Sequence, residues 1–399
     1  DEAAALVAAI HDRQQHHAGH LKPSAKHRFV QGAAARPRGQ LAGSAPVAAL
    51  SSSSPKDLEL FDHLWRQHVP VVITGLAAQL HEDWSPAAFL RLFGPEPVKL
   101  MDCASQTPVE GFNLARFFGA YEERAVAPPH PMTGEPTVLK LKDWPEGAHF
   151  CQKFPRAYFD DCMRAIPRRM RERLCADGAF NLASYLPQHA VPPDLGPKLY
   201  AGCGYDPACP NVYSQTNLHC DVSDAFNIMV HSGPAPARLC AEERAAGAEG
   251  MAGAVWDIWD AKDAPKISQY LRVRAQELGY RGVSQHPIHD QIFYLTDRDR
   301  RRLRDSYGIE SYRFVQGVGS MVVIPAGCPH QVRNLSSNIK VAMDFVSPEN
   351  VDACLRLASD FRALSLGHHL SEDKLQAPAM LYHALKSVLA TRGAEAPPS

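Results

Sequence analysis

Apolar and polar positions follow two rhythms along this chain, and the switches between them mark its elements. Leu58 to Trp65 carries apolar residues at helical spacing. Val69–Pro70–Val71–Val72–Ile73 is a short apolar run stopped by Thr74–Gly75, which predicts a buried strand. Val138–Leu139–Lys140–Leu141 alternates like a strand ahead of Asp143–Trp144–Pro145, and Cys162 to Leu174 reads as a helix with an arginine-rich face. Further on, Phe226–His231, Ser320–Ile324 (closed by Pro325–Ala326–Gly327) and Asn338–Phe345 all read as strands. In the last of these, Ile339, Val341, Met343 and Phe345 fall on one face and Lys340, Ala342 and Asp344 on the other. Between them, Trp256 to Leu271 reads as a helix inside an insertion. Ser347–Pro348–Glu349 has the chemistry of a helix start: a capping hydroxyl, a proline at the first position and an acid at the positive end. The helix it opens puts Val351, Cys354, Leu355, Phe361 and Leu364 on one face. Antiparallel strands flanked by helices predict a mainly β fold, a barrel with helical additions. No internal repeat is visible.

The first 55 residues are different in texture. They are rich in Ala, Ser, Pro and His and end in Ser51–Ser52–Ser53–Ser54–Pro55. Such composition cannot build a core, so residues 1–55 are expected to be a mostly disordered lead-in and 56–399 the folded domain. His11, His16, His17 and His20 are solvated tail histidines on this reading, with adventitious metal binding as the alternative. The chain opens on Asp1, not Met, so a processed chain or a piece of a longer one is expected.

Charge and cysteine usage narrow the class. The 42 basic residues nearly balance 43 acidic ones, which argues against gripping nucleic acid through bulk positive charge. Arg164, Arg168, Arg169, Arg171 and Arg173 are most simply a solvated face; a local nucleic-acid patch is the other reading. No apolar run is long enough to span a bilayer and no signal peptide is recognisable. The ten cysteines are scattered with no CxxC pair, so reduced thiols in the cytosol or nucleus are expected rather than a disulfide framework or a structural zinc site. Cys203 and Cys209 are the nearest pair.

The sharpest chemical feature is His219–Cys220–Asp221, with His330 far downstream. On a strand, residues two apart share a face, so His219 and Asp221 can present an imidazole and a carboxylate to one point. A distant histidine would complete a two-His-one-carboxylate face, which leaves metal positions open and is diagnostic of non-haem Fe(II) oxygenases. HxD alone is common by chance. The context adds weight: a strand follows His219, and His330 comes directly after Val322–Val323–Ile324–Pro325–Ala326–Gly327–Cys328–Pro329. The alternative is a buried structural histidine hydrogen-bonded to Asp221.

Around these residues the chain resembles the JmjC (jumonji-C) histone demethylases, in the histone H3 lysine 9 subgroup that includes the Hairless protein. The resemblance rests on LKLKDWP (139–145), NLAS (181–184), PDLGPKLY (193–200), TNLHCDVSDAFN (216–227) and PIHDQ (287–291). It continues in IPAGCPHQVRNL (324–335), IKVAMDFVSPENV (339–351) and EDKLQ (372–376), so it covers nearly all of residues 58–390. It implies a double-stranded β-helix (cupin-like, jelly-roll) JmjC catalytic domain with helical extensions at both ends. It also implies Fe(II) as the metal, 2-oxoglutarate and dioxygen as co-substrates, and oxidation of an N-methyl C–H on lysine with release of formaldehyde.

By position, the resemblance makes His219, Asp221 and His330 the iron ligands and Thr216 a hydrogen-bond donor to the far carboxylate of 2-oxoglutarate. Asn227 would support the co-substrate or its water, while Ser223 and Asp224 read as turn residues. Many JmjC proteins carry a lysine about 17 residues after the first histidine to pair that carboxylate; here the position holds Pro236. Since a buried carboxylate needs a cation or donors, Lys340 is the expected substitute and Arg238 the second choice. Met343 stands where the subgroup has Glu. The implied partners are a methylated histone H3 tail and chromatin in the nucleus, with no membrane and no direct nucleic-acid contact; a homodimer is compatible. The alternatives are a JmjC protein hydroxylase, or a catalytically weak JmjC chromatin-binding corepressor module.

Overall fold

The computed structural model describes residues 39–42, 44–123, 138–204, 214–236, 239, 241–280, 282–364 and 375–394. Its strands are β1 (Ala48–Ser51), β2 (Val71–Thr74), β3 (Pro97–Asp102), β4 (Pro108–Asn113), β5 (Leu139–Trp144), β6 (Lys198–Gly202) and β7 (Gln215–His219). The second half adds β8 (Asp224–Ser232), β9 (Ala254–Ile258), β10 (Tyr312–Gln316), β11 (Met321–Ile324), β12 (His330–Asn334) and β13 (Asn338–Phe345). They form a nine-stranded sheet in the order β1-β2-β11-β8-β13-β6-β5-β3-β4 and a four-stranded sheet in the order β10-β9-β12-β7. Neighbours are antiparallel except β1 with β2. This is a mainly β jelly-roll barrel with helical additions.

Period-two alternation explains how the large sheet serves two layers. Val71 and Ile73 of β2, Phe226, Ile228 and Val230 of β8, Met321 and Val323 of β11, and Ile339, Val341, Met343 and Phe345 of β13 all face one core. There they meet Phe61 and Trp65 of helix α1 (Pro55–Trp65) and Phe89 and Phe93 of α2 (Pro86–Phe93). The intervening residues Val72, Met229, Val322 and Ile324 point the other way and pack on Trp256, Ile258, Phe314 and Val332 of the small sheet. Buried on both faces, β2 and β11 are continuous apolar runs, whereas β13 is legible from its alternation. Gly253, at φ +119°, lets β9 start hard against its neighbour, since a Cβ there would sit 1.9 Å from the Gln316 carbonyl oxygen.

Four expectations need correction. Trp256 belongs to β9, and the helix α3 runs from Ala264 to Leu278, with Pro265 in its first turn. The Cys162–Leu174 helix is broken: α4 (Arg156–Ala165) stops before Ile166, whose ψ of 120° is the extended conformation a following proline imposes, and helix resumes only as single turns at 168–170 and 171–174. Its arginines are not one solvated face, because Arg173 is buried between Asp62 (3.0 Å) and Glu349 (2.9 Å) and Arg164 pairs with buried Asp161. Ser347 does not cap; its hydroxyl donates to Asp224, and the helix α5 begins three residues past Pro348, at Val351, running to Arg362.

The lead-in boundary also moves. Gln40 bridges Phe314, Ala45 bridges Tyr312, and β1 pairs with β2, burying Leu41, Val47 and Leu50. Residues 39–42 and 44–55 are therefore part of the packed domain, not of a disordered lead-in. A few apolar residues sufficed because the barrel offered an open strand edge. The tail histidines lie outside the described residues.

Candidate metal centre

His219 is the last residue of β7 and His330 the first of β12, and the register of that antiparallel pair sets them opposite each other. Their ring centroids are 4.2 Å apart. Asp221 lies just past the end of β7 and reaches back with both oxygens, Oδ1 to His219 Nε2 at 3.6 Å and Oδ2 to His330 Nε2 at 3.5 Å. The three residues read together from the sequence are brought together here.

The far side of each ring decides the chemistry. His219 Nδ1 lies 2.8 Å from the Asn217 carbonyl oxygen and His330 Nδ1 3.0 Å from that of Cys328. A carbonyl can only accept, so Nδ1 carries the proton in both rings and each Nε2 presents a lone pair. Burial, reinforced by His330, lowers the His219 pKa to about 3, so its ring is neutral near pH 7. The two Nε2 atoms thus face one carboxylate from opposite strands. Their spacing, near that of ligands about 2.0–2.2 Å from a shared ion, fits a divalent cation.

This centre opens into a cavity of about 270 Å³ between the sheets. Thr216, Asn227 and Lys340 all line it. Asn227 accepts Gln316 Nε2 on its backbone oxygen at 2.9 Å. Lys340 is buried, donates to Asn334 Oδ1 at 3.0 Å and sits 5.9 Å from the Trp256 ring centre, while Trp256 stacks on His330 from 5.9 Å. Burial, and then the charge of Lys140, bring its pKa down to about 7. Arg238, the second-choice anchor, lies outside the described residues.

Several cavity residues were not foreseen as functional. Lys140 of β5 is buried, its ammonium donating to the Gln215 carbonyl at 2.5 Å, and burial lowers its pKa. Tyr200 donates to Asp143, and Asp344 of β13 lines the cavity with its pKa raised well above the usual range, first by burial and then by Asp221 and Asp143. Lys340 and Asp344 lie four residues apart on one strand, about 13 Å. The cavity therefore has a basic end at Lys140 and Lys340 and a carboxyl-rich end at Asp143, Asp221 and Asp344, with Asp344 held toward its neutral form. The only sequence signal for Lys140, Asp143 and Tyr200 was their place inside LKLKDWP and PDLGPKLY.

Asp224 is a buttress, not a turn residue. Fully buried, it accepts from Ala326 N (2.9 Å), Ser347 N (2.8 Å), Ser347 Oγ (2.6 Å) and Asn350 Nδ2 (2.7 Å), tying the start of β8 to the ends of β11 and β13. Burial raises its pKa to about 6 against those bonds.

Comparison with known proteins bears on the same residues. Positions 240–345 match the JmjC domain, described as a hydroxylase, a stretch that includes His330, Lys340 and Asp344. The chain is 40% identical over 351 residues to Lysine-specific demethylase 3A of Rattus norvegicus, covering 83% of this chain and 29% of that protein. It is 40% identical over 353 residues to Lysine-specific demethylase 3 of Drosophila melanogaster, covering 83% of this chain and 41% of the relative. Against Lysine-specific demethylase JMJ26 of Arabidopsis thaliana, identity is 35% over 386 residues, 84% of this chain and 43% of the relative. The chain thus spans well under half the length of these curated relatives. With the jelly-roll fold, the domain match and this identity over most of its length, the chain belongs to the JmjC family, among the relatives of the lysine-specific demethylases.

Proposed function

We propose that this chain demethylates methylated lysine on histone tails, histone H3 lysine 9 in its mono- and dimethyl states above all, in the nucleus. It would do so with Fe(II), 2-oxoglutarate and dioxygen. The observation that carries the reading is the pair of bare Nε2 atoms around Asp221, set in a cavity basic at one end and acidic at the other. That polarity suits two ligands of opposite charge meeting at a metal.

His219, Asp221 and His330 would hold the iron and leave its other positions open. Iron with 2-oxoglutarate supplies the oxidation of an N-methyl C–H by dioxygen, coupled to loss of carbon dioxide and formation of succinate. The chain's own residues do the positioning. Lys340 pairs the far carboxylate of 2-oxoglutarate, and the Thr216 hydroxyl donates to it. Asn334 holds the Lys340 ammonium in place beforehand. Asn227, fixed through Gln316, supports the co-substrate from β8. At the other end, Asp143 balances the methylammonium charge, with the Tyr200 ring beside it. Because a C–H bond is attacked, the oxidation needs no lone pair on nitrogen, so the substrate can enter as a cation, which is what an acidic end favours.

The test is mass spectrometry of a panel of methylated H3 peptides incubated with the protein, Fe(II), ascorbate and 2-oxoglutarate. Loss of methyl mass with formaldehyde release is expected, abolished in His219→Ala, Asp221→Ala and His330→Ala with the fold retained and iron lost. A product heavier by one oxygen would make the chain a hydroxylase, and no succinate on any peptide would make it a binding module. Full iron occupancy in all three variants would sink the ligand assignment.

A further inference from the structure

A second cluster of metal-binding side chains lies outside the cavity. His286 and His289 come from the turn that follows α3, and Asp360 from the last turn of α5. His286 Nδ1 and His289 Nε2 approach the same oxygen, Asp360 Oδ2, at 3.9 and 3.8 Å. The ligand atoms of all three residues lie within 4.8 Å of one another. We propose that they form an accessory divalent-metal site of the zinc class, whose occupancy stiffens the segment behind the catalytic histidine His219.

The distances carry the first part. Both are too long for a hydrogen bond, which ends near 3.2 Å. They are close to a tetrahedral edge around zinc, about 3.3 Å for ligands about 2.0–2.1 Å from the ion, so on these two edges a shift of roughly half an ångström reaches that spacing. Two imidazoles and a carboxylate are the donors zinc takes, and three protein ligands leave a position for water. The turn is already shaped for it. His289 N donates to the His286 carbonyl at 2.9 Å, which brings two residues three apart onto one side with their rings 5.7 Å apart and nearly parallel. His289 is buried and packs edge-on against Phe361 at 4.9 Å, whereas Asp360 is 41% exposed, so the site has an apolar floor and an entrance.

The connections carry the second part. Ile288, inside the turn, is buried in a cluster with Leu218 and Cys220, the residues on either side of His219. The Gln291 carbonyl accepts from Asn217 Nδ2 at 2.9 Å, the Phe293 carbonyl accepts from Leu218 N at 2.8 Å, and the Asn217 carbonyl is the one that His219 Nδ1 faces. A metal at the turn would therefore brace the group that sets the tautomer and aim of His219. Asp360, His286 and His289 are positioning residues on this account, since none lines the cavity.

The experiment is equilibrium dialysis of the metal-stripped full chain against Zn(II), with bound metal counted by mass spectrometry. Asp360→Asn and His289→Gln are each expected to bind one zinc fewer per chain than the native protein, and His286→Asn, at a more exposed position, serves if either fails to fold. A variant carrying His219→Ala with Asp221→Ala should keep that zinc, and amide exchange at 284–291 should slow on zinc addition in this double variant and in the native chain alike. Equal zinc counts in the native chain and the turn variants would overturn the proposal. So would amide exchange at 284–291 that does not respond to zinc. Loss of zinc only on changing His219 and Asp221 would likewise place all binding at the catalytic centre.

Discussion

Replacing Lys340 by Met tests the co-substrate anchor through two effects of opposite sign. In the free protein Lys340 is buried beside a second cation, and its pKa falls from 10.5 to about 7. At about 1.4 kcal/mol per unit, holding the charged form costs the fold on the order of 5 kcal/mol. The sign follows from the direction of the shift. Because the folded pKa lies below the unfolded one, the destabilisation is complete below about pH 7 and fades as pH rises toward 10.5. Methionine has similar reach and no charge, so Lys340→Met should be the more stable protein at pH 7, with a thermal midpoint higher by several degrees. Binding should move the other way. The far carboxylate of 2-oxoglutarate loses a charged hydrogen bond of about 1.5–3 kcal/mol, which weakens it about 10- to 100-fold.

Calorimetric titration of 2-oxoglutarate into the Mn(II)-loaded protein reads this directly. The native affinity should fall as pH rises above about 7, where free Lys340 gives up its proton, and the variant should lose that slope. An affinity within twofold of native would refute the assignment. Arg238→Met showing the defect instead would move the anchor to Arg238. A variant less stable than native would show that Lys340 serves the fold.

Arg173→Met should cost about 3–5 kcal/mol in calorimetric unfolding, because it takes the cation from buried Glu349, while Asp62 keeps Arg169; a loss below about 1 kcal/mol would show the pair contributes little. A chain beginning at Pro55 should unfold at much lower denaturant than one beginning at Gly39, since it lacks Leu41, Val47 and Leu50, each worth about 1.5–3 kcal/mol when buried. Equal midpoints would return residues 39–54 to the status of a lead-in. Asp143→Asn should raise the KM for methylated peptide by up to about fivefold, the discount of a half-exposed charge, and leave 2-oxoglutarate affinity unchanged; an equal loss for both ligands would remove Asp143 from the substrate end.

In the large sheet, β2 and β11 were legible because burial on both faces writes itself as apolar runs. The errors fell where one residue carries two meanings. Trp256 suits a helix face as well as a strand, and its strand is fixed only by β10 and β12, which sit far away in the chain. Ser347 has the chemistry of a cap, but Asp224, buried more than a hundred residues earlier in the chain, claims it first. Residues 39–55 look like tail by composition, yet a short strand needs few apolar side chains when it adds to an existing edge.

Site residues divide along the same line. His219 and Asp221 are neighbours in sequence, and His330 follows an apolar strand and turn, so their chemistry showed in a pattern. The alternation in 338–345 likewise told which face of β13 Lys340 occupies, because Ile339 and Val341 must seek the apolar core. Nothing local distinguishes Lys140 from a surface lysine on an alternating strand. It is inside because β5 pairs with β6, which pairs with β13, and that order is a property of the assembled sheet. The tautomers are hidden for the same reason: no residue type says that the Asn217 and Cys328 carbonyls will face the Nδ1 atoms. Chemistry that depends on residue type could be read from the chain, and chemistry that depends on which backbone atom faces a ring could not. In a metal centre the second kind decides whether two histidines are ligands or merely neighbours, because only a bare Nε2 can take the ion.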